Sequence, residues 1–119
     1  MTTDTRIEDW DSYSAALRAR GKELTELHPE LMKGYGALSR GAASAKALDA
    51  KTRELIAIAV AVTTKCEGCI DAHARKAKAA GATKQEIAEA LGVAIALNAG
   101  AALTYSLHVL DAVEGTGQG

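Results

Sequence analysis

The feature that most constrains the fold of this 119-residue chain is a long run without Asp, Glu, Lys or Arg, from Ala90 to Leu110. A run of this length could cross a membrane as one helix. We reject that interpretation because Ala and Gly supply much of the run, and because it also contains polar side chains at Asn98, Thr104, Ser106 and His108. We predict instead two packed helices that meet near residues 98–100.

The rest of the chain also favours helices. Ala, Leu, Glu, Lys and Arg dominate, and all of them favour helix formation, while there is one Pro and no Phe. We therefore predict one all-α domain over residues 1–119, a compact bundle of about six helices. Because a core of Ala, Leu, Ile and Val buries little area per side chain, we also expect the chain to bury surface against copies of itself.

Local signals place the helix boundaries. Asp49 suits the N-cap of a buried helix, residues 83–86 (Thr-Lys-Gln-Glu) form a capping-box motif, and Gly81 suits the position just after a helix. Gly21 could interrupt the first helix. The predicted helices span residues 7–27, 29 to about 38, 50–64, 66–81, 83–97 and 99–113, with a loop at 39–46 and a disordered tail at 115–119.

Charge and the N-terminal segment argue against several classes of function. With 14 basic and 15 acidic residues the net charge is -1, so the chain offers no electrostatic surface for nucleic acid and no polybasic membrane patch. The first ten residues lack the apolar stretch of a signal peptide. We expect a cytoplasmic protein with no nucleic-acid or membrane partner, whose two cysteines serve a site rather than a structural disulfide.

A C-x-x-C pair, Cys66 and Cys69, is followed four residues later by His73. On one helix these positions are i, i+3 and i+7 and share a face, and the two cysteine Cα atoms lie about 5–6 Å apart, within disulfide range. Only a thiolate attacks, and a free cysteine at pH 7 is about 3% thiolate. Because a helix N-terminus and a nearby imidazole both favour the thiolate, the pattern predicts a thiol/disulfide redox centre with His73 as acid–base partner.

Glu54 joins this group by chain geometry. If the helices over 50–64 and 66–81 form an antiparallel hairpin, Glu54 lies about 16 Å before the turn and His73 about 12 Å after it. A contact or a water bridge between the two side chains is then feasible. An unpaired carboxylate beside the apolar run 55–62 would be costly, and His73 would remove that cost while Glu54 holds the imidazole in one tautomer.

Two other interpretations of the same residues stay open. Cys66, Cys69, His73 and Glu54 supply enough ligands for a zinc-binding interaction module, although no second Cys/His pair accompanies them. The same disulfide could also serve a non-enzymatic redox sensor. We interpret His108 as a core or interface histidine, with lining of the site from a neighbouring subunit as the alternative.

Three segments resemble the carboxymuconolactone decarboxylase family. They are residues 53–56 (Arg-Glu-Leu-Ile), 66–73 (C-x-x-C-x-x-x-H) and 81–87 (Gly-Ala-Thr-Lys-Gln-Glu-Ile), and their spacing is similar to that of the alkylhydroperoxidase D branch. The resemblance covers about residues 29–113. It implies an all-α fold, a homotrimer or hexamer, and reduction of hydroperoxide or disulfide substrates at the expense of an external dithiol, with no cofactor.

The resemblance also implies a role for each site residue. The cysteine matching Cys69 attacks the peroxide, the one matching Cys66 resolves the sulfenic acid to a disulfide, and Glu54 and His73 match a proton relay. The branch's best-known members carry a further histidine just before the second cysteine, where this chain has Gly68. The decarboxylase branch does not use this cysteine pair, so lactone decarboxylation is not expected.

Overall fold

A computed structural model describes residues 9–44 and 46–116. All regular structure in this part of the chain is helical, which confirms the predicted fold class. Its five helices are α1 (Trp10–Leu27), α2 (Pro29–Ala43), α3 (Ala50–Thr64), α4 (Glu67–Ala79) and α5 (Lys84–Gly115). The predicted start of the first helix at residue 7 and residues 117–119 of the predicted tail lie outside the described residues.

Oxygen-bearing side chains cap the first turns of three helices, α1, α3 and α5. The carboxylates of Asp9 and Asp49 accept the backbone N–H of Ser12 and Thr52, three residues on, at 2.9 and 2.7 Å. At the start of α5, Thr83 accepts the N–H of Glu86 while the Glu86 carboxylate accepts the N–H of Thr83. The N-cap at Asp49 and the capping box are therefore as predicted, because each motif satisfies N–H groups that the helix itself leaves unpaired.

Three predicted interruptions are absent from the structure. Helix α1 continues through Gly21, and α2 continues to Ala43, so residues 39–43 are helix rather than loop. The two helices predicted at 83–97 and 99–113 are one helix, α5. Asn98 does not break it, since its amide donates to the Ala94 carbonyl one turn back at 2.7 Å and to Thr63 Oγ1 on α3 at 2.9 Å.

Helix α3 lies at the centre of the chain and packs against α4 and α5, while α1 packs against α2 and α4. The buried apolar residues at these contacts are Ile58 and Ala61 on α3, Ala77 on α4 and Ala94 on α5. A salt bridge of 2.8 Å from Lys51 Nζ to Glu86 joins the first turns of α3 and α5. Small side chains at the contacts allow the three helix backbones to approach closely.

Much apolar surface stays uncovered within one chain. On α5, for example, Leu103, Tyr105 and Leu110 are 65–75% exposed. The radius of gyration is 19.4 Å, against about 13.5 Å for a compact domain of this length. By length and composition α5 is the one helix among the described residues that could cross a membrane. The helices thus do not close around a core of their own.

Candidate functional site

The two cysteines lie where the chain turns from α3 into α4. Lys65 adopts a left-handed conformation (φ 56°) that ends α3, and the Cys66 N–H reaches back to the Ala61 carbonyl at 3.0 Å. Cys66 is then the N-cap of α4, with its Sγ accepting the Cys69 N–H at 3.2 Å. Its sulfur therefore lies at the positive end of the α4 dipole, an environment that favours a thiolate when the cysteine is reduced.

Cys66 and Cys69 are joined as a disulfide, with their Cα atoms 5.2 Å apart. This separation is within the range that the i, i+3 spacing predicts. A bond between cysteines three residues apart closes a very short loop and joins no distant elements. It therefore does little to hold the fold together.

Glu54 and His73 meet across the α3–α4 hairpin. Glu54 Oε2 lies 2.6 Å from His73 Nδ1, and the side chains are 18% and 32% exposed. The sequence analysis found a contact or a water bridge between these two side chains feasible, and the structure contains the direct contact. With Glu54 ionised, Nδ1–H donates the hydrogen bond, so Nε2 is the ring nitrogen left to exchange a proton with a bound molecule.

The hairpin brings all four predicted site residues onto neighbouring turns. Cys69 precedes His73 by one turn of α4, and Cys66 caps the same helix. Glu54 reaches His73 from α3. Their catalytic roles stay a prediction, but the arrangement contains the parts that thiol chemistry needs: a sulfur pair, a proton carrier and a carboxylate that orients it.

The zinc interpretation receives no direct support from the geometry. Across residues 9–44 and 46–116, no three His, Cys, Asp or Glu side chains are grouped so that they could hold a metal ion. Within the site, the two sulfurs are bonded to each other and the Glu54 carboxylate is bonded to His73. The four groups are arranged in two pairs rather than around a common point.

His108 lies away from this site within one chain. Its ring packs edge to face against Tyr105, with centroids 4.9 Å apart, on the exposed second half of α5. His108 is therefore not a core residue within a single chain. Its location at a subunit interface and its contribution to a neighbouring subunit's site both stay predictions.

The sequence analysis did not predict a group of ion pairs beside the site that is centred on the buried Asp71. Asp71 is the buried charged residue of α4, 7% exposed, and it accepts a hydrogen bond from Arg75 Nε at 3.0 Å. Arg75 Nη2 also contacts Asp11 on α1 at 2.9 Å. Hydrogen bonds from Arg75 to Asp71 and Asp11 raise the pKa of Arg75 above its ordinary value. The i, i+4 spacing of Asp71 and Arg75 was the signal that could have revealed this pair.

Two open grooves flank α3. One, of about 440 Å³, is apolar and runs between α3 and α5, with Ile56, Val60, Val93 and Leu97 in its walls. The other, of about 300 Å³, lies between α2 and α3 and includes Glu54. Ile56 borders both grooves. The two grooves therefore meet at Ile56, and Glu54 lies in the wall of the second one.

Fold and site together define a class of protein: an all-α domain with a C-x-x-C disulfide at a helix start and a Glu–His pair beside it. Residues 29–112 match the family model for the carboxymuconolactone decarboxylase family, and the chain belongs to that family. The site is consistent with its alkylhydroperoxidase D-like branch.

The chain is also similar to two uncharacterized proteins and to one solved structure of the same family. An uncharacterized protein of Haemophilus influenzae is 54% identical over 104 residues, which cover 87% of this chain and 92% of that protein. Uncharacterized protein 4 in cox locus of Paracoccus denitrificans is 44% identical over 82 residues, 66% of this chain and 74% of that protein. The crystal structure of an apo carboxymuconolactone decarboxylase family protein from Legionella pneumophila, 34% identical, aligns with a TM-score of 0.72 over 92% of this chain and 97% of that one.

Proposed function

We propose that the protein is a thiol-dependent peroxidase that reduces hydroperoxides through the Cys66–Cys69 pair. The observation that carries the proposal is the 2.6 Å contact between Glu54 and His73, one helical turn from a C-x-x-C disulfide. A structural disulfide would not need a carboxylate-oriented imidazole beside it. Membership of a family that includes enzymes supports the proposal.

The first half of the cycle oxidises Cys69. Its thiolate attacks one oxygen of the hydroperoxide, an S–O bond forms and the O–O bond breaks, which leaves a sulfenic acid on Cys69. The departing alkoxide takes a proton from His73 and leaves as an alcohol. Glu54, which is bonded to Nδ1, fixes the orientation of the ring during this transfer.

The second half forms the disulfide. The Cys66 thiolate attacks the sulfur of the sulfenic acid, the S–S bond forms, and hydroxide leaves with a proton as water. The α4 N-terminus and the Cys69 N–H favour the thiolate form of Cys66 that this step requires. An external dithiol then supplies two electrons and two protons, which restores both thiols and leaves the dithiol oxidised. No cofactor enters the cycle.

The test is steady-state consumption of a hydroperoxide with a dithiol donor. We expect Cys69→Ser to abolish turnover. Cys66→Ser should still react with one equivalent of peroxide and then stop at a sulfenic acid that a dimedone probe captures. Turnover retained in Cys69→Ser would refute the assignment of the attacking sulfur.

Thiol counting by mass spectrometry distinguishes the enzyme from a sensor. One equivalent of hydroperoxide should remove two thiols from the wild-type protein without a sulfinic adduct. Formation of the disulfide without steady-state turnover would favour the non-enzymatic redox sensor over the peroxidase.

We also propose that the working form is a homo-oligomer. The chain has an accessible surface of 9597 Å², against about 6,100 Å² for a folded monomer of this mass. The difference is several times the roughly 800 Å² that each partner buries in a standard interface. A second copy of the same chain is the occupant that the apolar faces of α2, α3 and α5 fit, and the family resemblance leads to the same expectation.

The cytoplasm is the compartment that fits this cycle. Reduction of Cys66–Cys69 after each turnover needs a supply of reduced dithiol, and the cytoplasm maintains one. The proposal includes neither nucleic acid nor membrane as a partner.

A further inference from the structure

Helix α5 extends well beyond the helix that supports it. The ion pair of Lys51 with Glu86 and the hydrogen bond of Thr63 with Asn98 each join α3 to a residue 35 positions later on α5. The two helices therefore run in the same direction with a constant offset. Because α3 ends one residue after Thr63, residues 100–115 of α5 continue past it for about 24 Å. We call these residues the projecting segment.

The projecting segment is not covered by its own chain. Among the described helices α5 contacts α3 alone, and residues 101–115 are all exposed. Leu103, Leu107 and Leu110 are 57–69% exposed, and their i, i+4, i+7 spacing places them on one side of the helix, which we call the leucine face. No charged residue precedes Asp111 in the segment. An exposed apolar surface of this kind marks a contact with another molecule.

The α3–α5 groove matches the leucine face in length and in polarity. Its α3 wall runs from Ile56 through Val60 to Thr63, seven residue steps or about 10.5 Å along the helix. The leucine face from Leu103 to Leu110 spans the same seven steps. The residues that line the groove carry no charge, so a leucine that enters it removes no ion from water.

Two other arrangements of the projecting segment fit less well. The side of the helix away from the leucines carries the polar tips of Tyr105 and His108, whose burial in an apolar groove is costly. A bilayer is a poor partner, because about 24 Å of helix is shorter than a membrane span and the segment ends in Asp111 and Glu114. The segment also lacks the Lys and Arg side chains typical of helices that lie on a membrane surface.

We propose that the leucine face of one copy docks in the α3–α5 groove of a second copy. A chain cannot fill its own groove, because the projecting segment continues the same helix that forms one wall of it. Each copy has one leucine face and one groove, so every groove is filled in a reciprocal pair or around a closed ring. The inference rests on the proposed homo-oligomer and names the two surfaces that meet.

The first test is complementation between two defective variants. Val60→Glu places a charge in the groove and Leu107→Glu places one on the leucine face, so each variant alone should lose mass in light scattering. In a mixture, the intact face of the first variant meets the intact groove of the second. We expect the mixture to form pairs of twice the 12.3 kDa chain. Leu103→Glu mixed with Leu107→Glu is the matched control and should form none, because both faces are defective.

The second test is a disulfide between chains whose native cysteines are replaced by serine. One chain carries Val60→Cys and the other carries Leu107→Cys. Within one chain Val60 is level with residue 95, about 18 Å before Leu107, far beyond the roughly 7 Å limit for a disulfide. We expect oxidation of the mixture to give a covalent dimer. The control pairs Val60→Cys with Tyr35→Cys, an exposed residue of α2, and should give little.

The outcomes separate the docking surface from the oligomer itself. An assembled wild type that shows neither complementation nor the bridge from residue 60 to residue 107 would overturn the docking and leave the homo-oligomer standing. A bridge to residue 35 instead would make α2 the occupant of the groove and would also overturn it. A wild-type mass of one chain would refute both proposals. Circular dichroism shows which glutamate variants keep their helices, and the cysteine pair decides where one does not.

Discussion

At the scale of single residues, the position of Glu54 decides what His73 can do. Its carboxylate accepts the hydrogen bond from Nδ1 at 2.6 Å and is 18% exposed. The contact directs the proton to Nδ1 and leaves Nε2 as the ring nitrogen that can exchange a proton. A neutral amide of the same shape could present either its oxygen or its NH₂ group to the ring, so the tautomer would no longer be fixed.

Replacing Glu54 therefore tests the relay at constant shape. We expect Glu54→Gln to lower kcat for peroxide reduction by about 100-fold, the lower end of what a positioned acid–base group contributes. The ¹⁵N shifts of the His73 ring should show loss of the pure Nδ1–H form. Glu54→Asp should recover part of the kcat and part of the Nδ1–H form. Wild-type turnover in Glu54→Gln would contradict the relay.

The residues of the site could be predicted from the sequence because local spacing fixes them. The three positions of Cys66, Cys69 and His73 share one helix, so their common face follows from 3.6 residues per turn. Glu54 required one further assumption, a hairpin at residue 65. The contact of Arg75 with Asp11 on α1 could not be predicted, since it depends on how α1 lies against α4 and no periodicity encodes that.

At the scale of the helices, the carboxylate of Glu86 links the first turn of α5 to the first turn of α3. Glu86 closes the capping box of α5 with one oxygen and binds Lys51, in the first turn of α3, with the other. The hydrogen bond with Lys51 and then the one from the Thr83 N–H lower the pKa of Glu86 below its ordinary value of 4.5. The ionised form is therefore favoured in the folded state.

This coupling predicts a stability that depends on pH. Because the folded-state pKa of Glu86 is depressed, its contribution is present above pH 4.5 and is lost as the pH falls through the lower folded value. We expect Glu86→Gln to unfold at lower urea concentration than wild type at pH 7, with the difference vanishing at strongly acid pH. Glu89→Gln, one turn further along α5, is the control and should match wild type throughout. A difference independent of pH would assign the effect to the cap alone.

Helix starts were more predictable than helix ends. A start depends on side chains within three residues, as at Asp49 and Thr83, so the sequence carries the whole signal. The expected break near Asn98 was wrong because its amide satisfies a carbonyl of its own helix and a hydroxyl on α3. That second partner is 35 residues away in the chain, and a local pattern contains no information about it.

At the scale of the whole molecule, the charge-free run of α5 raises the question of what covers it. The run is exposed in one chain, and so are apolar residues on α2 and α3, such as Leu38 at 72% and Val60 at 55%. A lipid surface would explain α5 alone. A second copy would account for all three helices, because each of them exposes apolar residues that a contact between chains can bury.

The last prediction tests the proposed homo-oligomer. Size-exclusion chromatography with light scattering should give a mass of three or six times the 12.3 kDa chain, as the family resemblance implies. Leu103, 69% exposed on α5, is expected at the interface, so Leu103→Glu should shift the mass towards the single chain because a buried, unpaired carboxylate is costly. Gln85→Glu adds the same charge to the first turn of α5 and should leave the mass unchanged. A wild-type mass of one chain, or recovery of the protein only with phosphatidylcholine vesicles, would contradict self-association and favour a membrane as the partner of α5.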